Sequence, residues 1–228
     1  MNLLLLSNST NYGDTYLQHA KEQVREFLKG CHNAVFIPYA GVTISHDDYL
    51  DKVVNALEPC DPTIRSIHRF PDTRKAIEDA DAILIGGGNT FRLLSRLQDE
   101  ELMGVIRHRI DEGMKYVGWS AGSNVAGKTI RTTNDMPICE PASFTALNLV
   151  PFQINPHFTN EVLPNHGGET RMDRLNEFLT LNPSEEVVCL PEGTWLDVSG
   201  KECYARGEGE VFSLRAGRSP EVIKLRHL

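Results

Sequence analysis

Lys115-Tyr116-Val117-Gly118-Trp119-Ser120-Ala121-Gly122-Ser123-Asn124 passes from an apolar run through a Gly-x-Ser-x-Gly pentapeptide into small residues that suit a helix. The pattern predicts a strand, a sharp turn and a helix, with the Ser120 hydroxyl held out at the top of the turn. Glycine fits on both sides of Ser120 because such an elbow leaves no room for neighbouring Cβ atoms. The helix that follows aims its first backbone N–H groups and positive dipole end at the serine. That field suits a nucleophilic hydroxyl, and the same five residues equally suit a plain Gly/Ser turn, so partners for Ser120 have to be found.

Upstream, short apolar runs alternate with helical patterns. Asn2–Leu6 reads as a strand, and Asp14 is placed to cap a helix carrying Leu17, Val24, Phe27 and Leu28 that closes near Gly30. Residues 34–37 form a second strand ending at Pro38. Tyr49, Leu50, Val53, Val54 and Leu57 then recur at helical spacing and stop at Pro59. Residues 63–67 are a third strand, 72–79 a short helix, and 82–85 a fourth strand that runs into Gly86-Gly87-Gly88-Asn89-Thr90. This alternation implies a mostly parallel sheet with right-handed crossovers and helices on both faces, a three-layer α/β/α arrangement. Sites in such sheets form at strand carboxyl ends, so 86–90 and 118–122 should open on one edge.

Downstream the pattern changes. The strand-like pieces 187–190, 194–198, 202–205 and 210–214 are separated by turns such as Ser199-Gly200 and Gly207-Glu208-Gly209. They predict C-terminal β-hairpins that extend or flank the sheet. Residues 129–159, with Pro137, Pro141, Pro151 and Pro156, read as a long ordered loop of the kind that carries function.

The chain has 228 residues, enough for one domain with a full core, and 40% hydrophobic with 24% charged residues is ordinary for a globular protein. A formal net charge of −8 argues against nucleic acid or an anionic membrane surface as partner. It also repels acidic ligands at long range, so recognition of a carboxylate has to come from a local arginine. Five cysteines without zinc-type spacing (Cys31, Cys60, Cys139, Cys189, Cys203) suit reduced thiols and a cytoplasmic location, with Cys31 and Cys189 buried. Leu3–Leu6 is too short and too lightly flanked for a leader or a membrane span.

A serine nucleophile needs a base, and the base needs an orienting group. Of eight histidines, His19, His32, His46, His68, His108 and His227 lie in charged helices, near turns or at the terminus and read as solvated surface residues. His157 closes the strand-like run Gln153-Ile154-Asn155-Pro156-His157-Phe158, where Pro156 fixes the backbone just before the imidazole. His166, beside Gly167-Gly168, is the competing base, and a plain hydrogen-bonded histidine under a loop is the alternative for His157. Glu192, between Pro191 and Gly193 amid apolar residues, is the best orienting acid, whereas Glu185 and Glu186 read as solvent-facing. Gly86-Gly87-Gly88 bares backbone N–H groups, so those of Gly88 and Ala121 together suit an oxyanion hole. A phosphate loop is a weaker reading, because neither G-x-G-x-x-G spacing nor a G-K-[ST] ending is present.

Together these segments resemble the peptidase E family of α-aspartyl dipeptidases, serine peptidases with a class I glutamine amidotransferase-like, flavodoxin-like fold. The resemblance is carried by residues 3–10, 36–38, 40–43, 86–91, 118–122, 129–138, 153–160, 168–171 and 190–193, and spans residues 1 to about 200. It implies Ser120 as nucleophile, His157 as general base, Glu192 as orienting acid and an oxyanion hole from Gly88 and Ala121. It further implies hydrolysis of dipeptides with a free amino-terminal aspartate, with the specificity arginine at Arg171. Without the resemblance, Arg171 reads as a helix-start arginine paired with Glu169 or Asp173. The chain departs from common bacterial members at Ser123 and Thr194, where those carry Ala and Asn.

Given an aspartyl substrate, Asn89 and Thr132 are placed to add hydrogen bonds, and Asp135 to take the free α-ammonium. The expected protein is a metal-free, cofactor-free enzyme, monomer or homodimer, acting on small peptides and not on nucleic acid or membranes. An α/β-hydrolase esterase is disfavoured because its chain order runs Ser, acid, His, against Ser120, His157, Glu192 here. A cyanophycinase-like exopeptidase and a non-catalytic amidotransferase-like binding module are the remaining alternatives.

Overall fold

The computed structural model describes residues 1–161 and 167–228. Its first strand, β1 (Asn2–Leu6), shows how the fold is assembled, because all four leucines are wholly buried although successive side chains of a strand point to opposite faces. Leu3 and Leu5 join one core cluster and Leu4 and Leu6 another, so β1 is covered on both sides. Each such leucine contributes about 2 kcal/mol of apolar burial.

Helices α1 (Lys21–Leu28) and α2 (His46–Leu57) cover the Leu4 and Leu6 face, with Val24, Leu28, Leu50, Val53 and Leu57 packed inward. The opposite face takes α3 (Thr73–Glu78), α4 (Thr90–Asp99) and α5 (Leu102–Asp111). Between these layers β1, β2 (Asn33–Ile37), β3 (Thr63–Ser66), β4 (Ala82–Ile85) and β5 (Lys115–Trp119) run parallel. The expected three-layer α/β/α architecture is the one observed.

The chain re-enters through a one-turn helix α6 (Ala121–Asn124), a segment without regular strands or long helices, β6 (Gln153–Phe158) and α7 (Arg171–Leu181). It ends in β7 (Glu186–Pro191), β8 (Thr194–Ser199), β9 (Glu202–Gly207), β10 (Phe212–Arg215), β11 (Glu221–Val222) and β12 (Leu225–His227). The eight-stranded sheet has the order β12-β9-β8-β1-β5-β4-β2-β3, and a four-stranded sheet has the order β11-β10-β7-β6. The carboxyl-terminal strands therefore do both things expected of them: β8 and β9 extend the main sheet as a hairpin, while β7 and β10 build the second.

Two local expectations are corrected. Asp14 does not cap α1, because Leu17 turns left-handed (φ 57°) and a 3₁₀ turn, Gln18–Ala20, intervenes before the helix starts at Lys21 without a side-chain cap. Glu185 and Glu186 are not solvent-facing. Lys128 binds Glu185 at 2.8 Å, and Glu186, its side chain only 12% exposed, is held by Arg215 of β10 and Arg226 of β12. Glu186 thus clamps the two sheets together.

Candidate active site

Ser120 follows β5 directly, and its backbone sits at φ 53°, ψ −112°, a conformation that costs about 1–3 kcal/mol for a residue with a side chain. The surroundings enforce it. A Cβ at Gly122 would run into the Ile85 carbonyl, and one at Gly118 would meet the Gly122 carbonyl oxygen at 2.6 Å. Ser123, where the resembled family has alanine, donates its hydroxyl toward Leu6 O (2.6 Å) and Gly118 O (2.9 Å). It ties the elbow to β1 and its own strand. The helix after the elbow is a single turn, because the carbonyls of Val125, Ala126 and Gly127 are taken by Leu147, Leu149 and Asn148. Its field is that of a few N–H groups rather than a long macrodipole.

The imidazole reaches Ser120 from the second sheet. Between β6 and β7 the ladder slips: Asn155 faces Cys189 and Phe158 faces Pro191, so three steps on β6 match two on β7. This bulge re-aims its residue out of the pleat. Pro156 is tolerated there because it needs no ladder donor, and His157 takes φ 52°. The outcome is a series of short contacts. Ser120 Oγ donates to His157 Nε2 at 2.8 Å, and His157 Nδ1 donates to Glu192 Oε1 at 2.8 Å. The imidazole is 38% and the carboxylate 54% exposed, so water reaches this pair. His166, the competing base, lies outside the described residues.

The loop 86–90 closes the other side. A Cβ on Gly87 would stand 3.0 Å from that of Ser120, which brings the β4 and β5 ends into contact as the parallel topology requires. Gly88 adopts φ 134°, and a Cβ there would collide with the Ala40 carbonyl, so no other residue fits. Among the described residues neither the Gly88 nor the Ala121 N–H is engaged, and both are free to donate. Tyr49 fixes the loop by donating to Gly87 O at 2.9 Å while accepting from Trp119 Nε1 at 3.2 Å.

Three residues escaped the sequence reading. Ser7, wholly buried at the end of β1, accepts from the His157 N–H at 2.9 Å and donates to Leu190 O at 2.8 Å. Its hydroxyl thereby satisfies both backbone groups that the bulge releases. Asn8 accepts from the Gly193 N–H at 2.9 Å and holds the turn that carries Glu192. Tyr49 is the third. The available signal was the position of Ser7 and Asn8 at the carboxyl end of a buried strand, where such sheets place their sites.

Arg171 opens α7 and lines a cavity of about 640 Å³ with Thr132, Thr133, Asn134 and Asn155. The neighbouring cleft of about 620 Å³ holds Ser120, His157, Gly88, Asn89 and Asp135. The helix-start pairings are taken by others: Arg174 binds Glu169 at 2.8 Å, and Asp173 closes a capping box with Thr170. Arg171 has no ion-pair partner among the described residues. Burial pulls its guanidinium down from the ordinary value, opposed by the charge of Asp135. A half-buried cation at the positive end of a helix is placed against both solvation and the dipole.

Asp135 Oδ2 accepts from the Thr90 N–H (2.7 Å) and the Thr90 hydroxyl (2.6 Å), leaving Oδ1 without a partner among the described residues. Asn89 caps α4 through its carbonyl oxygen and donates to Met136 O at 2.8 Å. Thr132 is buried with its hydroxyl on Ile154 O at 2.8 Å. The side chains of Asn89 and Thr132 are therefore already committed to shaping the walls. Thr194, the other departure from the resembled family, donates to Pro191 O at 2.6 Å beside Glu192. His19, read as a solvated residue, instead has both ring nitrogens shielded and without a partner among the described residues.

A hydroxyl, an imidazole and a carboxylate in series beside two unengaged N–H groups, on a three-layer α/β/α sheet, make up the constellation of a serine hydrolase. The family model described as Peptidase family S51 matches residues 3–205, and the chain belongs to that family. It is a peptidase. Relatives include the Peptidase E of Salmonella paratyphi A, 46% identical over 227 residues that cover 100% of this chain and 99% of that one. Peptidase E of a Nostoc species is 46% identical over 220 residues, covering 96% and 91%. In fold, the chain is similar to the crystal structure of a Listeria monocytogenes EGD-e protein, with TM-score 0.70 at 23% identity over 91% of this chain and 98% of that one. It is also similar to a peptidase from an acI-B1 actinobacterium, with TM-score 0.68 at 16% identity over 98% and 96%. No helix among the described residues is long and apolar enough to cross a membrane.

Proposed function

We propose that this peptidase cleaves dipeptides after a free amino-terminal aspartate, through an acyl-enzyme on Ser120. The observation that carries the substrate assignment is Arg171: half-buried and without an ion-pair partner among the described residues, in the cavity beside the Ser120 cleft. A guanidinium kept there calls for a planar anion, and a side-chain carboxylate meets it bidentately. Asp135 Oδ1 takes the α-ammonium, which restricts the substrate to a first residue.

As Ser120 Oγ attacks the aspartyl carbonyl, its proton passes to His157 Nε2, and the Gly88 and Ala121 N–H groups hold the oxygen that becomes negative. Glu192 accepts from Nδ1 throughout, which keeps the tautomer and favours the imidazolium. His157 then protonates the departing amine. Water, deprotonated by the same imidazole, releases aspartate. The chain works as one domain in the cytoplasm, as a monomer or homodimer.

Incubation of wild type and S120A with Asp-Leu tests the reading directly. Release of aspartate by wild type and its loss in S120A are expected, and equal rates would remove Ser120 from the chemistry. A β-Asp-Arg substrate turned over in preference to Asp-Leu would favour the branched-polymer exopeptidase.

A further inference from the structure

The Ser120 cleft has a second charged wall that the aspartyl half of the substrate does not use. Apart from His157, the cleft is lined by a single basic residue among the described residues, Lys52. It stands on α2 one turn after Tyr49, whose hydroxyl holds the Gly87 carbonyl, and both residues line the cleft. Lys52 makes no ion pair among the described residues, although α2 carries Asp47, Asp48 and Asp51. Its ammonium lies instead over the Tyr16 ring, 4.3 Å from the centroid, and Tyr16 and Tyr49 share a hydrogen bond at 3.3 Å. An aromatic face positions an ammonium without neutralising it. A carboxylate entering the cleft therefore meets a cation that is already oriented.

Arg171 and residues 132–134 belong to the cavity on the second-sheet side of the cleft, and Asp135 stands at the junction. Lys52, with Val42 and Ile44 from the loop after β2, lines the Ser120 cleft and not the Arg171 cavity. When the aspartate is engaged at Arg171 and Asp135, the residue beyond the scissile bond extends toward this wall.

We infer that Lys52 binds the free carboxylate of the departing residue and thereby selects dipeptides over longer or amidated chains. The assignment rests on the aspartyl dipeptidase reading. A dipeptide then meets an acid at its amino end and a cation at its carboxyl end, with the apolar Val42 and Ile44 beside the side chain between them. An amide at that position forfeits the charge-assisted contact.

The test compares kcat/KM for Asp-Leu and Asp-Leu-amide in wild type, K52M and K52R. Wild type should favour the free acid by about tenfold, the value of one charge-assisted hydrogen bond at a half-open site. In K52M the ratio should fall to near one, and in K52R most of it should return. Added salt should narrow the wild-type ratio, because the pair is partly solvated. A K52M enzyme that loses equally on both substrates would make Lys52 a structural support of the Tyr16 ring and overturn the assignment, as would an unchanged ratio. If wild type hydrolyses both substrates equally, the Lys52 assignment falls alone. If it hydrolyses neither, the dipeptidase reading falls and takes this inference with it.

Discussion

The Ser7 hydroxyl accepts the His157 backbone N–H at 2.9 Å, across 150 positions of sequence, and so joins the end of β1 to the bulge that carries the imidazole. The same oxygen donates to Leu190 O at 2.8 Å. One buried hydroxyl thus fixes the backbone of His157 and binds β7, the strand that leads to Glu192.

Ser7→Ala leaves a buried N–H and a buried carbonyl unpaired, which costs about 2 kcal/mol or more of stability. Because His157 is then free to leave its positive-φ bulge, kcat on Asp-Leu should fall at least tenfold with little change in KM. Urea unfolding with steady-state kinetics checks both. An S7A enzyme of wild-type kcat would show that the bulge holds His157 unaided.

What could be read from the sequence was what short-range sterics and burial dictate. Four consecutive leucines announce a core strand, and the glycines around Ser120 announce an elbow that admits no neighbouring Cβ. Ser7 and Glu186 were opaque for the opposite reason. Their partners lie far away in sequence, and nothing local distinguishes a hydroxyl that completes a bulge from one in a turn. Glu186 looked solvent-facing because Asn182, Pro183 and Ser184 form a turn before it, while Arg215 and Arg226 arrive only when the last strands are laid down. Asp14 carries a cap signal that the left-handed Leu17 overrides, because it delays the start of the helix.

Gly88→Ala should be more damaging to kcat than its size suggests. The added Cβ meets the Ala40 carbonyl, and φ 134° is strained for alanine, so the loop must shift and carry its N–H away from the proposed oxyanion position. Loss of one oxyanion donor lowers kcat on the order of 10²–10³-fold. Kinetics on folded protein, with circular dichroism as the control, decide it. A G88A enzyme within threefold of wild type (about 0.7 kcal/mol) would assign the donor elsewhere.

Glu192→Gln keeps an acceptor for Nδ1–H but removes the charge. The carboxylate is 54% exposed, so water substitutes for part of its field. The expected loss in kcat is on the order of 10²-fold, well short of the 10⁴ or more for S120A or H157A. Matching losses for E192Q and H157A would show instead that Glu192 dictates the tautomer outright.

The clamp at Glu186 gives a pH dependence separate from catalysis. Burial opposes its ionised form, but Arg226 and Arg215 outweigh burial and hold the carboxyl below its ordinary value of 4.5. A group whose folded value is depressed adds stability that is complete above the unfolded value and is lost as pH falls through the folded one. The urea midpoint of wild type should therefore drop as pH falls below 4.5, and E186Q should show a shallower drop over the same range. E186Q should also be less stable near neutrality, because two arginines lose their shared partner. Identical acid limbs for the two proteins would place the acid-sensitive carboxylate elsewhere.

In the proposed reading, Arg171 binds the aspartate and takes no part in the chemistry at Ser120. Arg171→Met removes the cation from its cavity and leaves the nucleophile, base and oxyanion donors in place, so kcat/KM for Asp-Leu should fall on the order of 10²-fold or more. Arg171→Lys keeps the charge without the planar fork and should recover only part of that loss. For Asn-Leu, which offers no side-chain charge, R171M should change the rate far less, collapsing the preference for Asp over Asn. Labelling of Ser120 by a small fluorophosphonate should proceed at the wild-type rate, since that reagent does not reach for the arginine. If R171M lost Asp-Leu and Asn-Leu activity equally, Arg171 would be a support of the α7 start and recognition of the aspartyl carboxylate would have to come from another cation.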